Sequence, residues 1–178
     1  MKKLIKDLKK EILKGKVFIY PTDTIYGLGC DATNVEAVNR IKKIKGRDKD
    51  KPLSVIAPSL EWIKDNLIIE EGLNLDKYLP GAYTLILKKK NFDFLKHISS
   101  NDSIGVRIPL HEVTGEIQKA GVPFITTSVN LSGEPFLVKL EELKPEIKKG
   151  VDYIIESKTE LSGKPSTLII NGKEVERR

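Results

Sequence analysis

The chain has 178 residues, of which 39% are hydrophobic and 31% are charged, and this composition is typical of one globular domain with a single core. The sequence contains no apolar run of the roughly 18 residues that a membrane-spanning helix needs, so no such helix is predicted. Cys30 is the only cysteine, which excludes an intrachain disulfide and a cysteine-based metal cluster. His97 and His111 are too few to form a histidine metal site on their own.

The net charge of +6 leaves two interpretations open. One is an anionic partner such as a nucleotide, a polyphosphate or RNA. The other is a solvated surface rich in lysine and glutamate. The first residues, Met1–Asp7, are basic but have neither a continuous apolar core nor a cleavage site, so we expect them to begin the mature protein. With a single cysteine, a reducing cytosol is the expected location.

Hydrophobic periodicity predicts helices and strands mixed along one chain. In chain order these are a helix over 3–14, a strand over 17–20, a helix opening with a capping box at 33–36, a strand over 53–57, a helix capped by Ser59, strands over 83–87 and 104–108, a helix over about 111–120, a strand over 123–127, a helix near 139–149 and strands over 152–155 and 167–170. The capped helix is expected to turn Val35, Val38, Ile41 and Ile44 inward, and Pro145 is expected to break or kink the helix near 139–149. The irregular spacing favours an α/β domain with a mixed sheet, covering residues 1–178 as a single unit.

Two segments concentrate hydroxyl groups directly after predicted strands, where ligand sites of α/β sheets tend to lie. Residues 21–29 read Pro-Thr-Asp-Thr-Ile-Tyr-Gly-Leu-Gly, and their hydroxyls, carboxylate and phenol can bind a small polar molecule. Residues 126–133 offer hydroxyls and an amide suited to phosphate or ribose oxygens. The alternative for both segments is a turn or a helix cap built from the same residue types.

Two further segments carry cations. Lys45, Arg47 and Lys51 lie in a loop between a helix and a strand and could surround a triphosphate, or they could be a solvated helix end beside Asp48 and Asp50. Arg107 lies in a predicted strand among apolar neighbours, where an arginine rarely lacks a partner. That partner is either a structural carboxylate or a substrate anion.

The sequence contains neither a G-x-x-x-x-G-K-[ST] phosphate loop nor a G-x-G-x-x-G motif. No cysteine–histidine or serine–histidine pair is recognisable as a nucleophile system. Taken in order, however, six motifs resemble the YrdC family of threonylcarbamoyl-AMP synthases. They are P-T-D-T-x-Y-G-L from Pro21, K-x-R with K-P-L from Lys45 to Leu53, P-G-x-x-T from Pro80, V-R-I-P from Val106, T-S-x-N-x-S-G from Thr127 and P-S-T from Pro165.

The resemblance implies a single domain with a twisted mixed β-sheet, flanking helices and a basic concave surface. It also implies cytosolic synthesis of threonylcarbamoyl-AMP and pyrophosphate from L-threonine, bicarbonate and ATP, assisted by Mg²⁺. Separate machinery would then transfer the threonylcarbamoyl group to tRNA. The leading alternative is a module that binds tRNA or double-stranded RNA without turnover. A second alternative is carbamoyl or adenylyl transfer of another kind, as in hydrogenase maturation factors.

The resemblance also implies which residues bind each substrate, with Lys45 and Arg47 as the catalytic pair and Arg107 pairing with the threonine carboxylate. The residues implied for ATP are Lys45, Arg47, Lys51, Ser128, Asn130, Ser132 and Arg177. Those implied for threonine are Thr22, Thr24, Tyr26, Arg107, Thr127 and Ser166. Mg²⁺ is expected to arrive with ATP, without a protein side chain as its ligand.

Four departures from the family pattern affect these assignments. Asp48 follows Arg47 where the family often has proline, which adds a negative charge beside the implied phosphate site. Val129 replaces a usual alanine in the S-x-N motif. Asn171 ends the apolar run after P-S-T where the family often has aspartate, and no glycine follows Arg177 in the place of the family's closing R-x-G.

Overall fold

The computed structural model describes residues 7–46 and 51–175. It contains one mixed sheet of ten strands, with five α-helices and two short 3₁₀ turns. The strands are β1 (Phe18–Tyr20), β2 (Gly27–Gly29), β3 (Ser54–Ile56), β4 (Leu67–Ile68), β5 (Tyr83–Lys89), β6 (Ser103–Arg107), β7 (Phe124–Ser128), β8 (Tyr153–Ile154), β9 (Thr167–Ile170) and β10 (Lys173–Val175). The helices are α1 (Leu8–Leu13), α2 (Val35–Ile44), α3 (Leu60–Asn66), α4 (Glu112–Gln118) and α5 (Pro145–Gly150).

The strand order is β10-β9-β5-β6-β3-β7-β2-β1-β8, with β4 added to β5. Parallel pairs join β3 to β6, β5 to β9 and β1 to β8, and the other pairs are antiparallel. The predicted α/β class with a mixed sheet and flanking helices is therefore confirmed. The extent of the domain over residues 1–178 stays a prediction.

The two faces of the sheet are covered differently. Helices α2, α3 and α5 contribute to a large apolar cluster on one face, where Val55, Val106 and Ile125 point from three central strands. Helices α1 and α4 cover part of the other face, over Tyr20 and Phe124. Side chains alternate along a strand, so the residues next to Val55, Val106 and Ile125 point to the second face. Helices α1 and α4 leave part of this second face uncovered.

Side-chain hydrogen bonds determine where helices α1 and α2 begin, and they correct the boundaries predicted from the sequence. Helix α2 is capped by the side chain of Asn34, which accepts from the Ala37 N–H at 3.0 Å, whereas the Thr33 hydroxyl donates to Asp31. The capping box predicted at Thr33 was therefore wrong, and Val35, expected to face inward, is 49% exposed in the first helical turn. Helix α1 begins at Leu8 because Asp7 caps it, and residues 3–6 of the predicted helix lie outside the described residues.

Proline has the expected effect in the second half of the chain. Residues 140–142 form a 3₁₀ turn, and α5 starts at Pro145, which occupies the first turn of the helix where no backbone N–H donor is needed. The prediction that Pro145 breaks a helix over 139–149 is confirmed. Strands β2, β4 and β10 were not predicted, because they are short and lack an alternating apolar pattern. Across residues 7–46 and 51–175, no helix is long and apolar enough to cross a membrane.

Candidate active site

Two buried threonine hydroxyls organise the loop that follows β1. The Thr22 hydroxyl donates to the Ile25 carbonyl at 2.7 Å and accepts from the Thr24 N–H at 3.1 Å. It also lies 2.8 Å from the Thr24 hydroxyl. Both side chains are 1% exposed, so these contacts satisfy polar groups that burial would otherwise leave without water. The Pro-Thr-Asp-Thr segment is therefore a rigid turn whose hydroxyls point inward.

The Arg107 guanidinium lies against this turn from the end of β6. Its Nη2 donates to Asp23 Oδ1 at 2.7 Å and its Nη1 to the Thr24 hydroxyl at 3.3 Å. Asp23 in turn accepts from the Leu110 N–H at 3.0 Å. Of the two partners predicted for Arg107, the structure shows the carboxylate. Its buried Nε has no hydrogen-bond partner among the described residues, so the guanidinium is only partly satisfied.

The electrostatics of Arg107 follow from its position. Only 6% of the residue is exposed, and this burial lowers the pKa of the guanidinium, while the neighbouring Asp23 carboxylate opposes the change. Arginine nevertheless remains charged, because its ordinary pKa is above about 12. A cation held at the end of β6 by one carboxylate suits an additional anionic ligand.

The floor of the site is the uncovered part of the sheet. Ser54, Thr84 and Thr126 point there from β3, β5 and β7, and each has an apolar sequence neighbour on the opposite face. The Thr84 hydroxyl lies 2.8 Å from that of Ser166, and both residues are at most 4% exposed. Glycine occurs at Gly105 because a Cβ there would overlap the Ser54 hydroxyl. Small polar residues thus replace the apolar layer that a helix would cover.

Lys45, at the C-terminal end of α2, supports the loop after β7. Its ammonium donates to Ser128 O, to Asn130 O at 3.2 Å and to Asn130 Oδ1 at 2.8 Å. The Ser128 hydroxyl donates to the same Oδ1 at 2.7 Å, and the Asn130 amide donates to Glu134 O at 2.6 Å. Lys45 is 2% exposed. It therefore holds residues 128–134 in place with a buried positive charge.

These elements enclose a cavity of about 390 Å³, hereafter the main cavity, which lies in the size range of small-ligand sites. Its charged lining residues are Arg107 and Glu134. Eight residues predicted from the sequence line it: Thr22, Thr24, Tyr26, Arg107, Thr127, Ser128, Asn130 and Ser166. Thr126, part of the hydroxyl segment predicted at residues 126–133, also lines it, whereas Ser54, Thr84, Glu134 and Phe136 had no predicted role. Hydroxyls at alternate positions of the predicted strands were the signal that could have identified Ser54 and Thr84.

The other predicted residues do not line the main cavity or are not described. Lys45 lies behind the loop that carries Ser128 and Asn130. The Ser132 backbone N–H donates to the Lys45 carbonyl at 2.9 Å. Lys51 is exposed. Arg47 and Arg177 fall outside the described residues, as does Asp48. The predicted basic concave surface depends in part on these positions and stays a prediction.

Tyr26 is positioned by the segment between β8 and β9. Its hydroxyl oxygen accepts from the Ser157 N–H at 3.1 Å, and the residue is 6% exposed. The glycines that follow are required by packing, because a Cβ at Gly27 or Gly29 would overlap the Tyr20 ring. Over residues 7–46 and 51–175, no three His, Cys, Asp or Glu side chains come together as a possible metal site.

A polar cavity on the uncovered face of a mixed sheet, with one buried arginine and many hydroxyls, defines an α/β protein that binds a small polar ligand. Residues 10–177 match the family model for Sua5, YciO and YrdC, whose description reads "Telomere recombination". The chain belongs to this family.

Similar proteins span most of the sequence. A protein of Methanocaldococcus jannaschii is 39% identical over 170 residues, which cover 94% of this chain and 80% of that protein. A protein of Vibrio campbellii, named threonylcarbamoyl-AMP synthase, is 32% identical over 167 residues, covering 89% of each chain.

Solved structures agree with the fold. P. abyssi Sua5 complexed with L-threonine superimposes with a TM-score of 0.82 at 30% identity, over 93% of this chain and 50% of that one. This chain therefore spans about half the length of that protein. E. coli YciO gives a TM-score of 0.81 at 28% identity, over 96% of this chain and 85% of that one.

Proposed function

We propose that the chain is a threonylcarbamoyl-AMP synthase, which forms threonylcarbamoyl-AMP and pyrophosphate from L-threonine, bicarbonate and ATP for tRNA modification. The observation that carries the proposal is the convergence of distant motifs. All six residues implied for threonine, from Thr22 to Ser166, line the main cavity together with Ser128 and Asn130, which are implied for ATP. The name of the Vibrio campbellii relative and the threonine complex of P. abyssi Sua5 support the same activity.

The reaction needs no protein nucleophile. The amine of threonine attacks the carbon of bicarbonate, and the hydroxide leaves with an amine proton as water to give a carbamate. A carbamate oxygen then attacks the α-phosphate of ATP while pyrophosphate leaves. Catalysis then consists of holding two anionic reactants together and stabilising the charge on the phosphates. This accounts for a site made of hydroxyls, amides and cations.

At the threonine end, Arg107 would pair with the carboxylate, since it is the charged donor of the cavity wall. Asp23 keeps the guanidinium in position through Nη2, and Thr24 does so through Nη1. Tyr26, Thr127 and Ser166 would contact the rest of the amino acid. Thr22, buried behind Thr24, would act on threonine by fixing the Thr24 hydroxyl.

At the ATP end, Ser128 and Asn130 would face phosphate or ribose oxygens. Lys45 would reach a phosphate by exchanging an acceptor such as the Ser128 carbonyl for a phosphate oxygen, which carries more charge than a carbonyl does. Arg47, Lys51, Ser132 and Arg177 remain the further ATP contacts that the resemblance implies. Mg²⁺ would arrive with ATP and be held by its phosphate oxygens, as the resemblance implies.

Several wider assignments belong to the same proposal. Separate threonylcarbamoyl-transferring machinery would consume the product, since this cavity has the size of a small-molecule site and not of a tRNA anticodon loop. Direct binding of tRNA and a cytoplasmic location remain predictions from the sequence.

The test is pyrophosphate release by the purified protein with ATP, Mg²⁺ and bicarbonate, with and without L-threonine, and detection of threonylcarbamoyl-AMP by mass spectrometry. We expect Lys45→Ala to abolish threonine-dependent turnover, because it removes the charge that organises residues 128–134. Lys42→Ala is the matched control, since Lys42 is also a buried lysine of α2 but donates to the His97 carbonyl. It should lower stability and leave the KM values unchanged.

The outcomes separate the possible functions. Threonine-dependent pyrophosphate and the adduct, lost in Lys45→Ala alone, would establish the reaction. A folded protein that neither binds ATP nor releases pyrophosphate would contradict the proposal. The RNA-binding module would then be the better interpretation.

A further inference from the structure

A second cavity of about 380 Å³, hereafter the side cavity, adjoins the main one. It is lined by Lys164, Ser162, Thr167 and Ala82, and it shares Thr24, Pro165 and Ser166 with the main cavity. Lys164 is the charged residue of its lining, and the resemblance assigns no role to this lysine. The shared residues form a common wall, so the Thr24 and Ser166 hydroxyls are available to a ligand in either cavity.

The position of the side cavity relative to Thr24 is fixed by the backbone. The Gly163 N–H donates to the Thr24 carbonyl at 2.9 Å, and the Ser162 hydroxyl donates to the same oxygen at 3.4 Å. On the other side, the Thr167 N–H donates to the Ala82 carbonyl at 3.0 Å. Lys164 lies between these two anchors in the sequence, and it is one of the residues that line the side cavity.

The hydrogen bonds around the Thr24 hydroxyl determine whether it can donate to a ligand or accept from one. The Thr22 hydroxyl has one proton, which it gives to the Ile25 carbonyl. The proton between the two threonine hydroxyls must then come from Thr24. Thr24 also accepts from Arg107, which leaves one lone pair on its oxygen and no proton. Thr24 is thus an acceptor, suited to an N–H donor such as the amine of an amino acid.

Ser166, the other hydroxyl residue of the common wall, offers the opposite polarity. The hydroxyls of Thr84 and Ser166 carry two protons, and the bond between them uses one. Within the described part of the chain, no residue is seen to accept the second proton. The common wall therefore combines an acceptor for an amine with a spare O–H donor, and the ammonium of Lys164 adds a positive charge nearby. An amine and a small oxyanion would be brought side by side.

We propose that the side cavity binds bicarbonate through Lys164 and the Ser166 hydroxyl, which is oriented by Thr84, next to an amine held by Thr24. This inference rests on the proposed function. The neutral amine attacks the carbon of bicarbonate, and a new N–C bond forms. The C–OH bond breaks, the hydroxide takes one proton from the amine nitrogen, and water leaves. The products are the carbamate anion and one water, so charge and atoms balance, and the carbamate lies at the entrance to the main cavity.

The experiment measures the KM for bicarbonate in carbonate-depleted buffer at constant pH and ionic strength, with saturating ATP and L-threonine. Lys164→Ala should raise that KM roughly tenfold, since one exposed charge-assisted contact is lost. The KM for L-threonine should change less than twofold. Lys164→Arg should restore most of the affinity, because it keeps the charge. The matched control is Lys158→Ala, an exposed lysine of the same segment that lines neither cavity.

The results that overturn the inference differ from those that overturn the proposed function. An unchanged bicarbonate KM in Lys164→Ala, or an equal rise in Lys158→Ala, would show that the side cavity does not bind bicarbonate. In both cases the wild-type protein still releases pyrophosphate with threonine. Absence of threonine-dependent release from the wild-type protein would remove the basis of both.

Discussion

The two faces of the central strands carry opposite kinds of residue at neighbouring positions. On β3 and β7, Val55 and Ile125 face the apolar cluster under α2, α3 and α5, and both are fully buried. Their neighbours Ser54 and Thr126 face the main cavity. The same backbone therefore supplies a core on one side and a ligand surface on the other.

Stability and ligand binding therefore depend on different faces of the same strands. Burial of an aliphatic side chain contributes about 1.5–3 kcal/mol, whereas a hydroxyl on an uncovered sheet face contributes little. The apolar face stabilises the strands enough to leave part of the other face without a covering helix. Arg107 differs from the hydroxyl residues of the polar face, because it is a charged side chain buried with a carboxylate.

Arg107→Met is expected to have the largest effect on both the free energy of unfolding and threonine binding. It leaves the Asp23 carboxylate, whose side chain is 14% exposed, without its cation, and we expect a loss of about 3–5 kcal/mol in the free energy of unfolding. Threonine binding should be lost as well. Chemical denaturation and calorimetric titration with L-threonine would measure the two effects.

A double variant separates the two roles of Arg107. Asp23→Asn/Arg107→Met removes both charges, and it should recover much of the stability but none of the threonine binding. Recovery of binding in the double variant would show that Arg107 serves the fold alone.

The next largest effect is expected from Ile125→Ala on the apolar face, compared with Ser54→Ala on the polar face. The first leaves a cavity in the core and should cost about 2–5 kcal/mol, with little change in the KM for threonine. Ser54→Ala should change stability by less than about 0.5 kcal/mol. Denaturant titration and steady-state kinetics of both variants provide the measurement. An equal loss of stability in both would contradict the division between the faces.

The sequence predicts the apolar face better than the polar one, for a physical reason. Runs such as Val17–Tyr20 and Pro123–Thr127 identify strands because one or both faces are buried. The role of Ser54 and Thr84 depends on where helix α4 ends over the sheet, which no local pattern encodes. Strand β2 was missed for a similar reason, because its glycines are selected by contact with the Tyr20 ring.

The motifs identified the main cavity more completely than the composition could. Every residue implied for threonine lies in its wall, although their binding roles stay predictions. The environment of Lys45 was not predictable, because its acceptors lie 83 and 85 residues away on the loop after β7. A basic run in sequence does not reveal that one of its lysines turns inward.

The smallest effect concerns the sheet edge at β8, far along the sheet from Arg107. Asp152 precedes β8 and accepts from the Val17 N–H at 2.8 Å and from Arg40 at 2.7 Å. Burial alone would raise the pKa of Asp152, but these two donors outweigh it and lower the pKa below its ordinary value of 3.8. Because the folded-state pKa is depressed, the contribution to stability is present above pH 3.8 and is lost as the pH falls through the lower folded-state value.

Asp152→Asn should therefore lower the free energy of unfolding by about 1–2 kcal/mol at pH 7, a figure reduced by the partial exposure of Arg40. The difference from the wild-type protein should shrink as the pH approaches 2, since the wild-type carboxyl is then protonated. Urea unfolding at several pH values would follow it, with Asp93→Asn as the control, because Asp93 forms an exposed ion pair with Lys96. A pH-independent difference would show that Asp152 acts through its shape and not its charge. A rise in the threonine KM would show instead that the edge strand and the main cavity are coupled, so that the two regions of the sheet could no longer be treated as independent.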